Sequence, residues 1–100
     1  MPLKTAQEFI EELVLAVRAP RGCAIALTER QPKDQNDTNW VTGAGVMPYD
    51  ALSRYDSAVA EMRRQYPRID WEGNTEKDGD RRRIARWYSE VPNHNPLPGT

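Results

Sequence analysis

The chain has 100 residues, with 14 basic and 15 acidic side chains and a net charge of −1. A chain of this length folds around one small core, which excludes a multidomain protein. The balanced charge excludes expansion by self-repulsion, and the three Trp and four Tyr supply large apolar surfaces. Since Leu, Ile, Val and Phe together number only 17, we expect a folded domain with a thin core.

The cysteine and histidine content excludes two classes of small scaffold. Cys23 is the only cysteine and His94 the only histidine, so the chain can form neither an internal disulfide nor a four-ligand Cys/His zinc cluster. The first residues include acidic side chains where a secretory signal needs an apolar run, and no segment reaches the roughly 18 apolar residues of a membrane span. We therefore expect a cytoplasmic protein that does not contact a membrane.

A first helix is predicted to begin at Thr5. Thr5 and Glu8 have the spacing of a capping box, in which each side chain accepts a hydrogen bond from the other residue's backbone N–H. The apolar residues that follow recur with the 3.6-residue period of an amphipathic helix, and Pro20 ends the pattern. These apolar residues are Phe9, Ile10, Leu13, Val14 and Val17.

Two strands are predicted after this helix. Residues 23–28 alternate larger and smaller apolar side chains, and residues 39–47 regain strand character after a polar loop at residues 29–38. Gly43 and Gly45 lie on one face of the second strand, where they permit a bulge or the close packing of another element. We expect the two strands to pair antiparallel.

A second helix is predicted between Pro48 and Pro67, with Asp50 as its N-cap. Its apolar residues again keep helical spacing. They are Leu52, Tyr55, Val59, Met62 and Tyr66. Residues 68–71 then form a short strand candidate, and residues 72–79 are polar and rich in turn-forming residues.

The pattern at residues 80–91 fits two structures. Apolar side chains at helical spacing favour a third helix with Asp80 as its cap, whereas the alternation from Ala85 to Val91 fits a strand that pairs with residues 68–71. We favour the helix.

The elements together predict a small α+β protein. One domain at residues 1–91 has the order α-β-β-α-β-α, with a small antiparallel sheet packed against helices on one face. Residues 92–100 contain three prolines and no core-forming pattern, so we expect a flexible tail there.

No catalytic residue is predicted. Cys23 lies among small apolar residues and His94 lies in the tail, so they do not form a nucleophile and base. Asp70 and Glu72 share a face of the strand candidate and could pair for acid–base catalysis, but no pocket signature accompanies them. We therefore expect a protein without enzymatic activity.

Two segments resemble ligand-binding motifs but lack the residues that bind. Residues 74–80 have the alternating polar pattern of a calcium loop, yet the first ligand position is Asn74 and the twelfth is Ala85 instead of glutamate. Residues 43–45 lack the third glycine of a dinucleotide-binding motif and the lysine of a P-loop. No metal ion or cofactor is predicted.

Four arginines are the first part of a candidate interaction surface. They are Arg81, Arg82, Arg83 and Arg86. Guanidinium groups bind phosphate and carboxylate bidentately and stack on aromatic rings, so this segment suits nucleic acid or an acidic protein surface. The isoelectric point near 5.8 argues against nucleic acid. A solvated face without a partner is the third alternative.

Trp40 and Trp71 complete the candidate interaction surface. Trp40 follows the polar loop and Trp71 ends the short strand candidate, so both are expected at the margin of the sheet. At such a position an aromatic ring either covers the core or forms the centre of an interface. The sequence leaves both alternatives open.

One segment resembles a group of known proteins. Leu27-Thr28-Glu29-Arg30, the polar loop, Asn39-Trp40 and the helix that ends at Pro67 resemble small bacterial α+β proteins of unassigned function. The resemblance implies the arrangement of a strand hairpin followed by a helix. It implies no activity.

These observations predict a small non-enzymatic accessory or protein-interaction domain. A thin core and aromatic residues at a sheet margin are stabilised by a partner, so we expect a protein partner or a homodimer. The alternative function is a nucleic-acid-binding module that uses residues 81–86.

Overall fold

A computed structural model describes residues 3–88 as two helices and a four-stranded antiparallel sheet. The elements are α1 (Ala6–Val17), β1 (Ala24–Glu29), β2 (Trp40–Ala44), α2 (Tyr49–Gln65), β3 (Lys77–Asp78) and β4 (Arg81–Trp87). The strands lie in the order β2-β1-β4-β3. The α+β class is confirmed, and the element order is α-β-β-α-β-β instead of α-β-β-α-β-α.

Helix α1 begins as the sequence predicts. The Thr5 hydroxyl accepts a hydrogen bond from the Glu8 N–H at 3.1 Å, and the Glu8 carboxylate accepts one from the Thr5 N–H at 3.0 Å. These two bonds complete the capping box. Arg18 follows the helix in a left-handed conformation with φ of 53°. The buried residues of α1 are Ala6, Phe9, Ile10, Leu13, Val14 and Val17.

Strand β1 pairs with both β2 and β4. Leu27 lies opposite Thr42 of β2 and Ile84 of β4. Because directly opposite residues point to the same side of a sheet, Ile25, Leu27 and Ile84 share one face, and all three are buried. Helix α1 packs on this face and α2 packs beside α1. The core therefore lies on one side of the sheet.

Helix α2 is present as predicted, but its N-cap differs. Pro48 is the N-cap and makes no side-chain capping bond, whereas Asp50 lies in the first turn. The prediction that Asp50 caps the helix is therefore wrong, although a carboxylate in the first turn still interacts favourably with the helix dipole. The helix ends at Gln65, two residues before Pro67, because proline cannot continue a helix.

The strand candidate at residues 68–71 does not pair along a strand. Asp70 makes a single parallel bridge with Thr5. The Asn39 side chain donates to the Ile69 carbonyl at 2.8 Å and accepts from the Ile69 N–H at 2.9 Å. One amide side chain thus satisfies backbone groups that a neighbouring strand would otherwise bind.

The helix favoured for residues 80–91 is wrong in its described part. Strand β4 occupies Arg81–Trp87 and pairs with β1 and β3, not with residues 68–71. A two-residue loop, Gly79-Asp80, joins β3 to β4 with Gly79 at φ of 66°, and glycine at the first position of such a loop is a hairpin signal. The local pattern fits the period of a helix and that of a strand. The strand is favoured because it pairs with the backbone groups of β1 on the edge that β2 does not occupy.

Several predictions concern residues outside 3–88. The tail at residues 92–100, His94 within it and the domain end at residue 91 lie outside the described residues, so they stay predictions. Within the described part, no helix combines the length and the apolar character that a membrane crossing requires. The cytoplasmic location also stays a prediction.

Candidate functional site

One side of the sheet faces away from the two helices, and we call it the open face. Its residues alternate along each strand with the residues that are buried in the core. Most of its side chains are small, and arginine and tryptophan side chains stand among them. The residues of the open face are Ala24, Ala26, Thr28, Val41, Gly43, Gly45, Asp78, Arg81, Arg83, Ala85 and Trp87.

A shallow groove of about 410 Å³ crosses the open face. Alanine and glycine residues form its floor, and Trp87 and Arg83 both line it. A methyl group added at Gly43 would meet no atom within 4 Å, so the floor is open. Trp87 is 49% exposed. The groove therefore presents an aromatic ring and a guanidinium group beside a flat surface.

Strand β4 divides the four candidate arginines between the two faces of the sheet. Arg81 and Arg83 lie on the open face, whereas Arg82 and Arg86 alternate with them and point to the helix side. The Arg86 Nε donates to the Glu11 carboxylate of α1 at 3.1 Å. The four arginines thus form two pairs instead of the single cluster expected from the sequence. In the pair on the helix side, Arg86 already has an acidic partner.

The two candidate tryptophans lie in the core. Trp40 is 1% exposed and Trp71 is 4% exposed. Each indole N–H donates to a backbone carbonyl, Trp40 to Tyr66 at 2.8 Å and Trp71 to Asn39 at 3.1 Å. Both rings cover the core, and Trp87 is the exposed tryptophan. Trp87 is among the apolar side chains whose helical spacing favoured a helix at residues 80–91, so that interpretation missed its exposure.

Strand β2 forms one edge of the sheet. The Gly45 N–H donates to the Ala24 carbonyl at 3.1 Å. Because hydrogen bonding alternates along an antiparallel strand, the backbone N–H and C=O groups of Thr42 and Ala44 point away from β1. No residue of the described segment 3–88 pairs with these outward groups. The strand is therefore a free edge with two residues ready to bind another strand.

Uncharged, exposed residues continue along this edge. Residues 40–49 contain no charged side chain. Val41 is 44% exposed, Val46 is 98% exposed and Tyr49 is 87% exposed. Proteins usually protect an edge strand with charged residues, with a proline inside the strand or with a bulge. Strand β2 has neither a charge nor a proline to prevent pairing with another strand.

The structure shows the surroundings of two groups that were considered for catalysis, Cys23 and Asp70. Cys23 is buried as a free thiol. The Asp70 carboxylate accepts a hydrogen bond from the Glu72 N–H at 2.8 Å, which closes a turn. Burial raises the pKa of Tyr88 to about 12, and its hydroxyl donates to the Val14 carbonyl at 2.7 Å. Across residues 3–88, no three or more His, Cys, Asp or Glu side chains are grouped to hold a metal ion.

Comparison with known proteins gives no further guide to the site. No protein-family model, curated protein or solved structure is significantly similar to this chain. The free edge of β2 and the open face are therefore the features of the structure that bear on function.

Proposed function

We propose that this protein is a non-enzymatic protein-interaction domain that forms a homodimer through the free edge of β2. The observation that carries the proposal is the set of outward backbone groups of Thr42 and Ala44 on an edge without charge. An exposed strand edge is a template for pairing with another strand, and the main-chain hydrogen bonds supply the affinity.

The opposite edge of the sheet is less suited to such pairing. Strand β3 has only two residues, Lys77 and Asp78, and both are charged and exposed. Short edge strands with charged side chains are a common protection against pairing. The contrast between the two edges supports β2 as the edge that binds.

A second copy of the chain fits the β2 edge by symmetry. Antiparallel pairing of β2 with the partner's β2 about a twofold axis at Gly43 places Thr42 opposite Ala44 of the partner subunit. Thr42 and Ala44 of the partner subunit then form two backbone hydrogen bonds, and the symmetry-related pair forms two more. At the axis, Gly43 presents no side chain that would separate the strands. On the open face, Val41 lies next to Gly45 of the partner subunit.

The magnitudes predict a weak dimer. Each backbone hydrogen bond contributes about 0.5–1.5 kcal/mol net, whereas association costs about 4–15 kcal/mol in lost translational and rotational freedom. Contacts of the exposed side chains of Val41 and Val46 add to the hydrogen bonds. We therefore expect a dissociation constant in the micromolar range or above.

Sedimentation equilibrium from micromolar to millimolar concentration tests the proposal. Ala44→Pro removes an N–H that points to the free edge and leaves the bonds between β1 and β2 in place. We expect this change to weaken the dimer by roughly tenfold, because two interchain hydrogen bonds are lost. Val41→Lys adds a charge to the same edge and should also weaken the dimer.

The matched control is Leu15→Lys, which adds the same charge at an exposed apolar residue of α1. It should leave the dimer unchanged, and circular dichroism should show that all variants are folded. A wild-type protein that stays monomeric at millimolar concentration would overturn the proposal. A dimer that neither β2 variant weakens would contradict the proposed interface.

The alternative function, a nucleic-acid-binding module that uses residues 81–86, loses the premise on which it was based. It requires four arginines on one surface, and β4 distributes them between two faces. Arg86 is also neutralised by Glu11. The arginines therefore do not form one continuous basic surface, which favours the dimer over this alternative.

A further inference from the structure

We infer that the open face binds the open face of a second copy of this chain, about a twofold axis that runs along Ala85, Ala26 and Gly43. This face contact is distinct from the proposed dimer, which uses the edge of β2. The two contacts together predict a tetramer, a dimer of edge dimers. The tetramer rests on the proposed edge dimer, whereas the face contact stands without it.

The charges of the open face favour a partner without net charge. Arg81 lies opposite Asp78 across the hairpin, and the same register continues to Arg83 and Glu76, whose backbones are joined by a hydrogen bond of 2.9 Å. The residues of this face on β1 and β2 are uncharged. Such a face does not attract a polyanion, and it does not repel a copy of itself.

The side chains of the open face form three rows that cross β4, β1 and β2, because residues opposite each other in an antiparallel sheet lie side by side. The middle row has the smallest side chains. The first row is Trp87, Ala24 and Gly45, the second is Ala85, Ala26 and Gly43, and the third is Arg83, Thr28 and Val41.

A twofold axis along the middle row makes the open face complementary in shape to itself. The axis reverses the strand direction, so the third row of one copy lies over the first row of its partner. Val41 then lies over Gly45 of the partner subunit, and Thr28 lies over Ala24 of the partner subunit. A methyl group added at Gly45 would meet no atom within 4 Å. The groove of about 410 Å³, which Ala24 and Gly45 line, therefore has room for the larger side chains of the partner.

The same axis pairs Trp87 with the partner's Arg83. Both residues lie two positions from Ala85 on β4, in opposite directions, so the axis exchanges their places. A guanidinium group stacks on the face of an indole ring and is attracted by its π electrons, more strongly where water is excluded. Trp87 is 49% exposed in its own chain. Because Trp87 and Arg83 of one chain lie about 13 Å apart along β4, this pair forms only between two copies.

Gly43 connects the face contact to the edge contact. It is the β2 member of the middle row, and it also lies on the axis of the proposed edge dimer. One axis runs along the row and the other runs through the sheet, so the two are perpendicular and generate a third. The symmetry therefore closes at four copies, in which two sheets pack face to face about 10 Å apart.

Sedimentation equilibrium from micromolar to millimolar concentration tests the face contact. The chain has a mass of 11.5 kDa, and we expect the wild-type protein to reach four times this mass. Trp87→Ala should weaken the face contact by about 5- to 1000-fold, because two cation–π pairs are lost, and should leave a dimer. Ala44→Pro should leave a dimer through the open faces, and the double variant should be monomeric.

Exchange of the two paired residues tests the geometry of the axis. Trp87→Arg alone places an arginine over the partner's Arg83 and should weaken the face contact. Arg83→Trp combined with Trp87→Arg restores a pair of tryptophan and arginine across the axis, and should recover the association. Since the two positions do not contact each other within one chain, this recovery reports a contact between copies.

The alternation of β4 supplies a matched control. Arg86→Gln removes the same charge as Arg83→Gln, but on the helix side, where Arg86 pairs with Glu11 at 3.1 Å. Arg86→Gln should leave the association unchanged, whereas Arg83→Gln should weaken it. Circular dichroism should show that all variants are folded.

Three results would overturn the inference: a wild-type association that Trp87→Ala leaves unchanged, equal effects of Arg83→Gln and Arg86→Gln, or no recovery in the exchanged variant. The first result would assign the open face to a different molecule. Failure of the proposed function is seen separately, because an association that Trp87→Ala abolishes and Ala44→Pro leaves unchanged would contradict only the edge dimer. The face contact holds the Gly43 Cα atoms of two copies about 10 Å apart, beyond the disulfide range, so Gly43→Cys links chains only across the edge.

Discussion

At the scale of single residues, Asn39 shows how a side chain can replace a strand. Its amide makes two hydrogen bonds with the backbone of Ile69, which lies 30 residues further along the chain. The sequence contains the Asn-Trp pair, but its role depends on a segment that no local pattern places beside it. For the same reason the buried positions of Trp40 and Trp71 could not be predicted, because each indole binds a carbonyl from a distant segment.

Asn39→Ala is expected to lower the free energy of unfolding by about 1–3 kcal/mol or more, because it leaves the N–H and C=O of the buried residue Ile69 without partners. Urea unfolding followed by circular dichroism measures the change. The control is Asn36→Ala in the exposed loop, where the described hydrogen bond involves only the backbone N–H. Equal stabilities of the two variants would show that the Asn39 amide does not hold the segment.

At the scale of elements, the predictable parts are those whose signals are local. The capping box and the apolar period specify α1, and alternation specifies β1. The period of residues 80–91 is ambiguous, and the partner that decides it is β1, more than 50 residues away. The Gly79-Asp80 pair is a local signal for a hairpin that periodicity alone misses. Because residues 81–87 form a strand, the arginines alternate between the two faces of the sheet.

The capping box of α1 makes stability depend on pH. Hydrogen bonds from the Thr5 N–H and hydroxyl hold the pKa of the Glu8 carboxyl below its usual 4.5. A group whose pKa is lowered by folding stabilises the protein above the unfolded pKa, and this contribution is lost as pH falls through the folded pKa. We expect Glu8→Gln to reduce the loss of stability between about pH 5 and pH 2, measured by urea unfolding at each pH. Parallel pH profiles of the two proteins would contradict this expectation.

At the scale of the whole molecule, the helices cover one side of the sheet and leave an edge and a face free within residues 3–88. The composition indicated a thin core, and the arrangement explains it, since a sheet with one covered face buries one set of side chains. The strand order β2-β1-β4-β3 determines which edge is free, and this order depends on long-range pairing that the sequence pattern does not contain. The proposed partner binds at this free edge of β2.

Disulfide formation across the proposed twofold axis tests the β2 homodimer most directly. In a Cys23→Ala background, Gly43→Cys places two thiols opposite each other, with Cα atoms about 4.5 Å apart, within the disulfide range of about 4.4–6.8 Å. Gly45→Cys is the matched control on the same face of the same strand, where the two Cα atoms would be about 14 Å apart. Neither position has an atom within 4 Å of an added methyl group. If β2 pairs with its copy at this axis, a non-reducing gel shows a covalent dimer for Gly43→Cys and little for Gly45→Cys, and equal or absent crosslinking of both variants would contradict the homodimer.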